Sequence, residues 1–226
     1  MKVELIAYTE GADHVCNLAA KNCVSEEMPE LFEMDTEGFV YLVDSECKSL
    51  KHALASGHES VAEHATFTFA IEGVSRVTEI QLVRHRIGAS YAIQSGRYCT
   101  RDPTNYVIPF DTENFNMDFI RGFDRALRHL DEYMEKEGIS AEDRRYFYPQ
   151  GLKTNIVVTV NARELLHMAS ERMCVRAQWE IREMVSEMVR LAKVVAPILF
   201  ENAGPKCERL GYCPERKGCG RKEGRK

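Results

Sequence analysis

Residues 84–97 read Arg-His-Arg-Ile-Gly-Ala-Ser-Tyr-Ala-Ile-Gln-Ser-Gly-Arg. Arg84, His85 and Arg86 gather three cationic or potentially cationic side chains, and Ser95, Gly96 and Arg97 follow a run of small residues. The chemistry this suits is anion capture. A guanidinium fork meets two phosphate oxygens at once. A glycine beside a serine lets backbone N–H groups and a hydroxyl approach those oxygens closely. The competing reading is a solvated helix end followed by a turn; the spacing and flanks of this run weaken it.

Three more segments carry chemistry. Asn161-Ala-Arg163-Glu-Leu-Leu-His167-Met-Ala-Ser-Glu-Arg172 is followed by Arg176, Gln178 and Trp179. On a helix Arg163 and His167 share a face, and Arg172 lies about 140° round from His167. One helix then offers cations in two directions, to two ligands or to a ligand and a neighbouring subunit. Taken alone, a surface helix with Glu/Arg pairs such as Glu171 with Arg176 explains it better. Gly57-His58-Glu59-Ser60-Val61-Ala62-Glu63-His64 invites a metal, but two histidines six apart do not face each other on a helix. Hydrogen bonding beside a cofactor, or a capped turn into a strand, suits it better. Asp143-Arg144-Arg145-Tyr146-Phe147-Tyr148-Pro149 places Arg145 one turn before a helix-closing proline, with rings that either stack on a base or fill a core. No Ser-His-Asp order, Walker loop or dinucleotide glycine fingerprint is present. Cys207, Cys213 and Cys219 have no usual zinc spacing.

The elements that must position these groups follow from pattern. Residues 3–8 and 156–160 read as strands, and the alternating run 65–71 as another. A helix starts near Gly11–Asp13 with Asp13 as its cap, and residues 42–55 are helical. Ser75 caps a helix running to about His85, on which Gln81, Arg84 and His85 share a face. A long helix covers 115–137 and ends at Gly138. Asn161 caps the next helical stretch, with Glu164 as its capping-box partner, and the following helix or helices run to about Glu201 before Gly204-Pro205. Helices dominate a few strands: the class is α/β (α+β), a helix-rich single domain with a small mixed or antiparallel sheet at residues 1–205 and a basic tail at 206–226.

Composition narrows the function. The tail from Lys206 carries eight Lys/Arg against three Asp/Glu, so the remaining 205 residues hold a net charge of −10. An acidic body argues against nucleic acid as a partner. No run is long enough to cross a bilayer and no apolar signal segment opens the chain, which points to the cytoplasm. Eight cysteines then read as reduced, with Cys16 and Cys23, seven apart, as core.

Taken together over residues 57–180, these segments resemble the flavin-dependent thymidylate synthases. Arg84-His85-Arg86 with Ser95-Gly-Arg97 is similar to the family signature, Gly57-His58-Glu59 with Glu63-His64 to its upstream motif, and Asn161 through Glu180 to its C-terminal block. The resemblance implies synthesis of dTMP from dUMP. It implies methylenetetrahydrofolate as carbon donor, FAD as redox cofactor, NADPH as reductant, no resident metal, and a homotetramer with active sites between subunits. By position, His58, Ser60, Arg84, His85, Arg86, Asn161, Arg163 and His167 resemble the flavin set. Gln81, Arg84, Ser95, Gly96, Arg97, Arg145 and Arg172 resemble the dUMP set, with Arg172 as the catalytic residue. His167 stands where the family often has Asn. Eight residues separate Arg86 from Ser95, one more than the commoner form, and Ile93 and Gln94 stand where a carboxylate is frequent. By the same resemblance the reduced flavin supplies the hydride and no cysteine nucleophile is needed. A uracil methyltransferase acting on RNA, or a non-enzymatic module built on the tail, are the competing functions.

Overall fold

The computed structural model describes residues 1–30, 32–34, 40–42, 46–99, 101–109 and 116–224. Strand β1 (Lys2–Tyr8) is followed by helix α1 (Ala12–Asn22), the hairpin strands β2 (Phe32–Met34) and β3 (Val40–Leu42), and α2 (Lys48–Ala55). A 3₁₀ segment (Glu59–His64) leads into β4 (Thr66–Ser75), α3 (Arg76–Leu82) and β5 (Ala89–Ile93). Then come α4 (Met117–Lys136), α5 (Ala141–Arg144), a 3₁₀ turn (Arg145–Phe147), β6 (Lys153–Asn161), α6 (Ala162–Arg172), α7 (Trp179–Val195) and α8 (Lys206–Leu210).

The main sheet has the order β1-β4-β6-β5. Hydrogen bonds from Arg76 N to Leu152 O (3.1 Å) and Ala162 N to Ala65 O (2.8 Å) bracket β4 and β6 as antiparallel. Gln94 N to Asn155 O (2.9 Å) and Asn161 N to Gly88 O (2.8 Å) do the same for β5 and β6. Alternation decides which face is covered: Phe67, Phe69 and Ile71 of β4 and Ile156, Val158 and Val160 of β6 are buried. The Phe67 ring meets Phe200 edge-on at 5.3 Å. On α7 the buried set Ile181, Met184, Val185, Met188 and Ala192 recurs at helical spacing. Among the described residues no helix is long and apolar enough to cross a membrane.

The chain divides into two compact units. One comprises Met1–Lys2, Ile71–Arg84 and Tyr91–Val157; the other comprises Val3–Ala70, His85–Ser90 and Val158–Lys226.

Several boundaries differ from the sequence reading. Gly11, in the left-handed region at φ 61°, caps α1 without a side chain. Asp13 instead reaches residues far along the chain, its carboxylate accepting from Ile198 N (3.0 Å) and Leu199 N (2.9 Å). Cys16 is buried, but Cys23 lies past the end of α1 and is exposed. Within the stretch read as helix from residue 42, the helix begins only at Lys48; residues 43–45 lie outside the described residues. Ser75 does cap α3, accepting from Thr78 N at 3.1 Å, but α3 ends at Leu82. Arg84 and His85 therefore sit beyond it, where the shared-face argument does not apply. The helix or helices read after Asn161 are two, α6 and α7, and the second ends at Val195, short of Glu201.

Candidate functional site

The unit holding His85–Ser90 builds a buried polar node. Asn161 Oδ1 accepts from Glu164 N (2.9 Å) and starts α6. Glu164 does not return the capping-box bond to Asn161; its side chain turns inward, and Oε1 lies 3.0 Å from His85 Nδ1. Both residues are buried. Burial pushes the Glu164 carboxyl above its ordinary range. Burial, and then the neighbouring charges of Arg172 and His167, bring His85 down to about 4. The imidazole is therefore neutral at pH 7. Arg172 Nε lies 3.0 Å from His85 Nε2. A guanidinium only donates, so Nε2 must be the accepting nitrogen and Nδ1–H the donor to Glu164. Glu164, His85 and Arg172 form a chain with one consistent assignment of protons. The His167 ring stands edge-on to His85, centroids 5.7 Å apart.

Gly88 supports the same node. At φ 73°, it approaches Asn161 so closely that an added Cβ would fall 2.2 Å from Nδ2. Only glycine satisfies both constraints there.

Around the node, the upstream motif reaches the C-terminal block through ion pairs. Glu63 pairs with Arg163, and Glu59 accepts from Arg209 at 2.6 Å. Lys206 pairs with Glu171, and Arg176 donates to Lys217 O at 2.6 Å, so the basic tail is tied to both motifs. His58, Ser60, Arg84, Arg86, Arg163 and His167 are exposed. Arg84 and Arg86 enter no ion pair among the described residues.

The other unit holds a cavity of about 480 Å³, lined in part by Ile80, Gly96, Arg145, Tyr146, Tyr148 and Leu152. That volume suits a small-molecule site with an apolar wall and a few polar groups. Not all its arginines are equally available. Arg101 donates to Gln94 O (2.6 Å) and to Lys153 O (3.3 Å). Arg144 pairs with Asp131 (3.4 Å) and Glu135 (3.5 Å). Asp131 also accepts from Tyr148 OH at 2.5 Å, which together with burial raises that phenol to about 12. Arg145, by contrast, pairs at 3.4 Å with the half-exposed carboxylate of Glu142, which also holds Arg97, a residue that is not on the cavity wall, at 3.0 Å. Ser95 Oγ accepts from Arg97 N (3.1 Å), and a Cβ on Gly96 would crowd Arg145 Cδ at 3.3 Å. The Ser95-Gly96-Arg97 turn and Arg145, distant in sequence, thus converge.

Of the residues singled out from sequence, His85, His167 and Arg172 meet in one unit, and Ser95, Gly96, Arg97 and Arg145 in the other. Gln81 donates to Val77 O of its own helix (3.3 Å). Among the described residues His85, Glu164 and His167 alone bring three potential metal-ligand atoms within 4.8 Å, and both nitrogens of His85 are engaged in hydrogen bonds. Sequence reasoning did not assign Glu63, Gly88, Glu142 or Glu164 to the site. The signal for Glu164 was its place three residues after Asn161, but that pattern suggested a cap.

Known proteins give the same answer. The family described as thymidylate synthase complementing protein matches residues 4–198. The flavin-dependent thymidylate synthase of Nitratidesulfovibrio vulgaris is 40% identical over 97% of this chain and 94% of its own length. That of Geobacter sulfurreducens is 41% identical over 95% and 91%. The fold is similar to a Helicobacter pylori flavin dependent thymidylate synthase complexed with FAD and dUMP, at TM-score 0.67 and 24% identity, covering 90% of this chain and 100% of that one. With two signature segments converging on buried and cavity-lining sites, and relatives aligned over nearly their whole length, this chain belongs to the flavin-dependent thymidylate synthases.

Proposed function

We propose that this protein makes dTMP from dUMP with methylenetetrahydrofolate as the carbon donor and FAD and NADPH as the redox partners. The convergence of Ser95, Gly96, Arg97 and Arg145 beside a cavity of about 480 Å³ carries the reading. A nucleoside monophosphate needs such a place: guanidiniums for the phosphate and a partly apolar pocket for the ring. Gln81, Arg84 and Arg172 complete the dUMP set. The flavin set is His58, Ser60, Arg84, His85, Arg86, Asn161, Arg163 and His167. Its exposed Arg84 and Arg86, without acidic partners among the described residues, suit the diphosphate of FAD.

Uracil C5 is a poor nucleophile, and negative charge must be stabilised as the ring reacts. Arg172 meets that need against the pyrimidine, and a dry site makes its charge worth a few kcal/mol. His85 holds Nε of that guanidinium, leaving its two terminal nitrogens for the ligand. Bound FAD, reduced by NADPH, supplies the hydride, so no cysteine nucleophile is required. The single Cys-Pro pair, Cys213-Pro214, lies in the tail with its thiol buried. Residues 1–205 constitute the catalytic domain and 206–226 a tail, in a cytoplasmic homotetramer whose active sites lie between subunits.

The test is purification with a flavin absorbance spectrum, followed by transfer of labelled carbon from methylenetetrahydrofolate to dUMP or to RNA. A yellow protein that methylates dUMP and not RNA is expected. A colourless protein, or one active only on RNA, defeats the reading.

A further inference from the structure

Among the described residues, Glu142 is the one acid that pairs with both Arg97 and Arg145, through a single carboxylate oxygen. Arg145, Gly96 and Ala141, the neighbour of Glu142, all line the cavity. The carboxylate side chain is 44% exposed and that of Arg97 54% exposed, so the pair is screened by water and weak. Two guanidiniums converging on one anionic oxygen offer what a phosphate monoester needs, with more donors than the carboxylate can use. Resting on the function proposed above, we infer that Glu142 is a resident stand-in for the substrate phosphate. It holds Arg97 and Arg145 together in the free protein and is displaced when the phosphate arrives.

This arrangement has two consequences. The carboxylate keeps two like charges from repelling each other before the ligand binds. It also competes with the ligand, since a phosphate dianion must evict it and then sit beside its negative charge. The net effect is an affinity held below the maximum the two arginines could give. Discrimination follows as well, because only a ligand carrying more negative charge than a carboxylate displaces it.

The experiment compares dUMP and deoxyuridine binding to the flavin-loaded wild type, Glu142→Gln and Glu142→Asp by calorimetry, with inorganic phosphate as a third probe. Glu142→Gln removes the charge, and Glu142→Asp keeps it on a side chain one methylene shorter. The dUMP dissociation constant is expected to fall about threefold to tenfold in Glu142→Gln and by less in Glu142→Asp. Deoxyuridine should bind all three proteins equally. Inorganic phosphate should follow dUMP. Unchanged or weaker dUMP binding in both variants, with melting temperatures matching wild type, overturns the inference, because the carboxylate then only orients the arginines. Should one variant fail to fold, the other decides alone. If dUMP does not bind wild type while inorganic phosphate still binds more tightly to Glu142→Gln, the proposed substrate is wrong and the stand-in role of Glu142 survives.

Discussion

Arg172 and His85 divide one task between them. The guanidinium carries charge, and the neutral imidazole fixes its direction through a 3.0 Å bond at Nε. If the proposed role of Arg172 holds, Arg172→Ala should lose at least about a hundredfold in turnover while keeping its flavin, because the loss then falls on charge stabilisation. Equal losses of turnover and flavin absorbance would count against that role. Glu164→Gln keeps an acceptor for His85 Nδ1–H, whereas Glu164→Ala removes it. The first should retain most activity and the second lose about tenfold or more in kcat, with dUMP KM little changed; a similar fall in both points to the charge alone. Ser95 accepts from Arg97 N and shapes the turn. Ser95→Ala should raise the dUMP KM several-fold yet still turn over, as measured by steady-state kinetics.

Elements show where local pattern suffices and where it does not. The caps at Ser75 and Asn161 were legible, because each hydroxyl or amide needs only an amide three residues on. The end of α3 was not: its apolar pattern runs on through Val83, but the chain turns there and buries His85 against Glu164, a partner 79 residues away. Asp13 looked like a cap for the same reason, and no local rule announces amides at 198 and 199. Gly88 is the sharpest case. The residue count between Arg86 and Ser95 marked the segment as unusual, but only the fold reveals Asn161 pressed against it. Gly88→Ala combines a positive φ with a collision and should cost at least about 2 kcal/mol in urea unfolding. Asn161→Ala, which removes only the cap, should cost about 1 kcal/mol.

Across the whole molecule, the polar node couples stability to pH. His85 ionises near 4 in the folded protein and near 6.5 when exposed, so the unfolded chain takes up its proton first. The stability it contributes is complete above about pH 6.5 and is lost as pH falls toward 4. Glu164, raised by burial, works in the opposite sense and blunts the slope. The melting temperature should fall between pH 6.5 and 4 more steeply in wild type than in His85→Gln. The broad class, helix-rich α/β, followed from hydrophobic periodicity. The partition of the chain into two interleaved units did not, since each is assembled from segments far apart in sequence.

The carboxylate of Asp13 has one more implication. Its partners lie 185 and 186 positions downstream. During translation these two bonds cannot form until residues 198 and 199 have left the ribosome, long after the first helix itself has emerged. Contacts of such long range slow folding, because a long loop must close before they form.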